Sequence, residues 1–145
     1  MKLADIRTGL ATVLRNNITG VLVADQWPDA FASSASTWLI VLPGDPYVTY
    51  FNPSRGMSSL DVVAMRVVVL PLQGAGPEQV QDEIDALLSC GSAAPRSIRT
   101  ALASDLSALG TACSVVAQTA AVRTYQINGN EVTGAEVALQ IQARC

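Results

Sequence analysis

From Thr111 to the end of the chain the sequence reads as two long β-strands folded back about Asn128-Gly129. Asn-Gly is the preferred pair for a two-residue type I′ turn, in which both central residues take positive φ. Such a turn pairs Ile127 with Asn130. Counting outward, Val122 then faces Ala135, Ala120 faces Val137, Gln118 faces Leu139 and Val116 faces Ile141, which makes one face apolar apart from Gln118. A loop one residue longer sets Leu139 against Thr119 and Ile141 against Ala117 and buries less apolar surface, so the two-residue turn is preferred. On the last strand Val137, Leu139 and Ile141 alternate with Glu136, Gln140 and Gln142, the pattern of one buried and one wet face. At about 3.3 Å per residue each arm reaches roughly 40 Å, longer than an ordinary globular strand. The tip is therefore expected to project beyond its own core.

With 145 residues the chain is expected to form one domain, 1–145, able to bury a core without disulfides or metal. Half of the residues are hydrophobic and 14% are charged, against about a quarter in ordinary soluble domains. Neighbouring subunits are expected to cover part of that apolar surface. The net charge of -3 opposes a role that depends on neutralising phosphates, because the nine basic residues are scattered.

Cys90, Cys113 and Cys145 are odd in number, form no CxxC pair, and have no histidine to complete a zinc site. They read as two small buried hydrophobes and a terminal thiol in a reducing compartment, with an intermolecular disulfide through Cys145 left open. Asp5 and Arg7 stand where a signal peptide needs an apolar run, and no segment approaches transmembrane length, so a cytosolic product is expected.

Leu3, Ile6, Leu10, Val13 and Leu14 form one stripe of a helix ending near Asn16-Asn17. Val21 to Val23 is a short strand, broken by Asp25-Gln26-Trp27-Pro28-Asp29. Trp38 to Leu42 is a second strand; Pro43-Gly44-Asp45-Pro46 is expected to turn the chain, and Tyr47 to Phe51 to return antiparallel. Asn52 to Ser59, with Arg55, reads as a loop. Leu60 to Leu72 is nearly continuously apolar around Arg66, as in a central strand covered on both faces. Gly76-Pro77 starts a helix buried through Val80, Ile84, Leu87 and Leu88, and Pro95 starts another with Ile98, Leu102 and Leu106 on one face. Gly110 releases the chain into the hairpin. The fold class is α+β: a mixed, largely antiparallel sheet packed with an N-terminal helix and two middle helices, ending in a long β-hairpin.

Without histidine there is no Ser-His-Asp or Cys-His machinery, and Lys2, the single lysine, gives no Schiff-base or P-loop candidate. Gly74 and Gly76 lack the third glycine and the βαβ unit of a dinucleotide fingerprint. Glu78 and Asp82 lie one turn apart and could serve acid/base or cation chemistry, but read better as the solvated face opposite Val80, Ile84 and Leu87. Arg96 and Arg99 suit a phosphate or a pairing with that acidic face. Trp27 beside Pro28 suits a partner-binding anchor or a cap on the sheet edge. No catalytic, metal or cofactor residues are expected.

In order, Leu3-Ala4-Asp5-Ile6-Arg7-Thr8-Gly9-Leu10, the Asp25 to Asp29 segment, the Pro77 to Leu88 helix, Ser97-Ile98-Arg99-Thr100-Ala101-Leu102 and the closing hairpin with Tyr125 before its turn and Gly134-Ala135-Glu136 after it resemble the tail terminator proteins of long-tailed, non-contractile bacteriophages, especially those of actinobacteria. The resemblance implies a structural virion protein, not an enzyme. It implies a ring, hexameric in the family, that ends tail-tube growth at the neck, with the major tail tube protein and the head-completion connector as partners. DNA would pass through the lumen without specific binding, and the acidic balance agrees with that. Contacts with neighbouring subunits or the tube are expected at Trp27, Arg55, Arg66, Tyr125, Asn128, Gly129, Asn130 and Glu131. The alternatives are another head-tail connector or tube component, and a small cytosolic carboxylate-based enzyme or ligand-binding domain.

Overall fold

The computed structural model describes residues 3–29, 31, 37–49, 60–71, 77–89, 96–104, 112–127 and 129–144. They form α1 (Leu3–Asn17), β1 (Val21–Ala24), β2 (Thr37–Thr49), β3 (Leu60–Pro71), α2 (Pro77–Leu88), α3 (Ile98–Ser104), β4 (Ala112–Ile127) and β5 (Asn130–Arg144). The five strands make one sheet in the order β1-β2-β3-β5-β4. β1 runs parallel to β2, and every other pair is antiparallel. The α+β class expected from the sequence is the class observed.

The period-two alternation of the strands decides what each face does. Leu39 and Val41 of β2, Val63, Met65, Val67 and Val69 of β3, and Ala135, Val137, Leu139 and Ile141 of β5 point to one side. There they meet Ile6, Leu10, Val13 and Leu14 of α1, Ile84 and Leu87 of α2, and Ile98 and Leu102 of α3. The residues between them point to the far side, where Ile40, Val68, Leu70 and Ile127 form a smaller cluster with Phe31, Trp38, Leu42, Tyr125 and Val132. β3 is central in the strand order as expected, but Val62, Ala64 and Arg66 on its far face stay half-buried. Its helix side is covered along the strand, and among the described residues its far side is covered at Val68 and Leu70 only.

One expected turn is absent. Pro43-Gly44-Asp45-Pro46 does not reverse the chain, and Tyr47 to Thr49 continue β2. Pro43 pairs with Met65 and Val48 with Val63, so Gly44 to Tyr47 bulge out opposite Ala64 alone. Gly44 is required there, since a Cβ would lie 2.8 Å from the Ala64 Cβ. A bulge and a turn draw on the same residue types. What separates them here is the uninterrupted length of β3, which keeps both halves of β2 paired.

The hairpin turn has the expected two residues: Ile127 faces Asn130, and Gly129 takes φ +80°. The register holds through Val122 opposite Ala135 and Ala120 opposite Val137. Beyond that it shifts. Gln118 is an extra residue between Ala117, which faces Leu139, and Thr119, which faces Ala138, so Ile141 meets Val115 instead of Val116. The bulge keeps both halves of β4 in register with their apolar partners by excluding the one polar side chain.

Arg96, just before α3, reaches back to α2 with a forked contact: Nη1 donates to Glu83 Oε2 at 2.8 Å and Nη2 to Oε1 at 2.7 Å. Thr37 at the start of β2 donates to Glu83 Oε1 at 2.9 Å, and Arg96 Nε donates to the Thr19 carbonyl at 3.1 Å. Ser97 caps α3, accepting from the Thr100 N–H at 3.3 Å. Glu78 and Asp82 lie exposed on the outer face of α2, as expected. The Arg96 hydrogen bonds hold the Glu83 carboxyl below its ordinary value against the opposing effect of burial, and the Thr37 bond and the Arg96 charge lower it further. The Arg96 guanidinium is correspondingly raised, chiefly by its bonds to Glu83.

A depressed carboxyl contributes stability above its unfolded value of 4.5 and loses it as pH falls through the folded value. Arg96→Met is therefore expected to cost about 1–2 kcal/mol at neutral pH, a low figure because both side chains stay partly exposed. The gap from wild type should close as the pH is taken below 4.5, read by thermal melts across a pH series. A gap that stays constant through that range would assign the loss to packing.

Candidate assembly interface

The far face and the β4 edge gather most of the residues expected to make contacts. β4 and β5 have 16 and 15 residues, and Asn130 to Gly134 lie beyond the last pair between β3 and β5, Val69 with Ala135. The hairpin thus runs past β3 as expected, but its end does not stand free on both sides. Ile127 is 6% exposed and packs with Ile40, Val68 and Leu70, while Gly129, Asn130 and Glu131 are exposed. Apolar side chains at the end of a strand seek the nearest apolar face, and that face is offered by Trp38 and Leu70.

Trp27 is 42% exposed and stands over this cluster. Its ring lies edge-on to Phe31 at 5.5 Å between centroids and tilted to Tyr125 at 6.4 Å; Phe31 in turn meets Trp38 edge-on at 5.5 Å. Edge-to-face contacts at these separations are favourable for aromatic rings. The arrangement ties the Asp25 to Asp29 segment to the hairpin.

Arg66 and Tyr125, expected as separate contacts, meet at one carboxylate. Glu136 Oε2 lies 3.5 Å from Arg66 Nη1 and 3.8 Å from Arg123 Nε, and accepts from the Tyr125 hydroxyl at 3.4 Å. Burial, then the charge and hydrogen bond of Glu136, push the Tyr125 phenol above its ordinary value, while Arg123 and Arg66 pull it back. Sequence reasoning missed Glu136 and Arg123 as partners. The signal was there: with Ala121 opposite Glu136, Arg123 is its diagonal neighbour on the same face.

Beside Arg66 and Glu136 a groove of about 700 Å³ runs over Ala64 and Ala138, with Gln118 and Gln140 along it and Pro43 with the bulged residues Gly44 to Pro46 as its rim. Gln118 donates to the Gln140 side chain across it. Arg55, Asn128, Asn52 to Ser59, the glycine pair Gly74 and Gly76, and Cys90 and Cys145 lie outside the described residues, as does the side chain of Cys113.

The edge itself is open. β4 is the outermost strand; Val116 and Val122 are 53% and 55% exposed, and among the described residues nothing pairs with its outer side. No family model and no curated protein matches the chain. Among the described residues no group of three or more His, Cys, Asp or Glu converges on a point that would hold a metal ion. No helix among them is long and apolar enough to cross a membrane.

Proposed function

We propose that the chain is a tail terminator subunit: a structural protein that assembles with copies of itself into a ring, six in the family it resembles, on the last ring of a phage tail tube. The observation that carries the reading is the long open edge of β4, with two exposed valines and a single charge, Arg123, on a subunit whose described helices all pack on one face of the sheet. Unpaired strand edges of this kind are normally blunted in free-standing domains, and an assembly covers them. The sequence resemblance and the low charge fraction point the same way. In this reading the ring meets the tail tube protein on one face and the head-completion connector on the other, and the genome passes through a lumen that does not bind it. Trp27, Arg66, Tyr125 and the exposed end of the hairpin, Gly129 to Glu131, flank the contact.

The test is electron microscopy of purified protein mixed with tail tubes, wild type beside Val116→Lys with Val122→Lys. Both valines are exposed, so the variant should melt close to wild type yet leave the tubes uncapped. Normal capping by the variant would remove β4 from the interface. Tubes that lengthen would make the protein a tube component. No capping by wild type, together with a large melting shift on adding a metabolite, would favour a ligand-binding domain that uses the groove beside Arg66.

A further inference from the structure

We propose that away from any tail tube two copies of this chain join through the outer edges of β4, antiparallel, about a twofold axis beside Val122, and so extend the sheet from five strands to ten. The inference goes beyond the ring reading. It concerns the free protein and stands or falls without the tube.

Three observations set the geometry. First, the two edges of the sheet differ. β1 has four residues, and Arg15 of α1 donates from Nη2 to its Val23 carbonyl at 3.2 Å, so that edge is short and partly capped. β4 has neither feature, and from Ala112 to Ile127 it contains no proline and no lysine. Proline, lysine and capping are the usual means of keeping an edge unpaired.

Second, the hairpin fixes which backbone groups face outward. In a two-residue hairpin the residues flanking the turn, Ile127 and Asn130, exchange their hydrogen bonds, and every second residue from there does the same. Tyr125, Arg123, Ala121 and Thr119 therefore point their N–H and C=O groups at β5. Gln126, Thr124, Val122 and Ala120 point theirs at solvent, and all four are exposed.

Third, the bulge at Gln118 ends the regular stretch, so a partner can pair continuously only from Thr119 toward the turn. Within that stretch an axis at Arg123 would set the two arginines directly opposite each other, which is unfavourable. An axis at Val122 sets Val122 against its own copy, Ala120 against Thr124, Ala121 against Arg123 and Thr119 against Tyr125. No like charges meet, and every outward group of Ala120, Val122 and Thr124 finds a partner. Ala120, Val122 and Thr124 also share the helix side of the sheet, with Ala120 at the margin of α2 and α3 and all three exposed, so the two copies bring two small strips of side chains together.

Seven residue pairs make a small interface, with dissociation expected in the range of about 1 μM to 1 mM. The same edge cannot serve the ring and the pair at once, so pairing would hold free subunits off one another's other surfaces until a tube competes for the edge.

Light scattering over a dilution series, with no tube present, should show the mass rising from 15.2 kDa toward twice that value. Amide exchange at Ala120, Val122 and Thr124 should slow with concentration, while Ala121 and Arg123, already bonded to β5, should not respond. Two variants report the register without touching the core. Ala120→Lys with Thr124→Lys places like charges across the axis and should weaken pairing at least tenfold; Ala120→Lys with Thr124→Glu places opposite charges there and should tighten it. A monomer at every concentration, a ring instead of a pair, or an equal response of the two variants overturns the proposal. A pair confirmed in solution beside wild-type protein that does not cap tubes would leave it standing and remove the ring reading alone.

Discussion

Leu139→Asp is expected to leave no stable folded state, whereas Gln140→Asp one residue away should melt within a few degrees of wild type. Leu139 is 1% exposed and lies on the helix side of β5, opposite Ala117 on one side and Met65 on the other. Losing its burial costs about 2–3 kcal/mol, and a carboxylate stranded there adds several more. The sum is comparable with the whole stability of an ordinary domain, about 5–15 kcal/mol. Gln140 faces the other way, half-buried on the far side and bonded to Gln118. Circular dichroism melts decide it: equal losses in the two variants would mean that the register of β5 is wrong.

Gly134→Ala is expected to cost about 3 kcal/mol or more, a large effect for one methyl group. A Cβ at Gly134 would lie 2.3 Å from the Val69 carbonyl oxygen, 3.1 Å from Leu70 and 3.2 Å from the Tyr125 ring. The first contact is with backbone at the last pair between β3 and β5, and it yields only if the strands part. Gly129→Ala provides the contrast. Nothing lies within 4 Å of a Cβ there, and only the positive φ resists, at about 1 kcal/mol. Denaturant melts of the two should differ by the crowding term, and a Gly134 variant as stable as the Gly129 variant would show that β5 can move away from β3 freely.

Local signals were legible where one residue type has one use. Asn128-Gly129 gave the turn and, through it, the register as far as Ala120, and Pro77 gave the start of α2. The apolar stripe of α1 and the continuous run of β3 were equally plain, and the pairing of Arg96 with the acidic helix was one of two readings offered. What failed depends on distant pairing. Pro43 to Pro46 look like a turn, and only the length of β3 makes them a bulge. Gln118 carries no mark that it will be squeezed out of register; its polarity among apolar neighbours was noted, but a bulge answers that conflict as well as a buried amide does. Of the interface residues, Arg66 and Tyr125 were picked from type and position alone, and their meeting at Glu136 was readable only once the register was trusted across three strands.

The short capped strand β1 and the long open strand β4 make the molecule chemically one-ended. For the extension of its sheet, and in the language of polymer synthesis, it resembles a monofunctional monomer: one strand edge can take a second copy, the other is β1, whose Val23 carbonyl is taken by Arg15, and a ring would need a second surface that is not a strand edge. In the proposed pair, edge-to-edge stacking would stop at two copies. Removing the cap, for instance with Arg15→Ala, would turn a chain stopper into a bifunctional unit and open a route to fibres that the wild-type sequence closes.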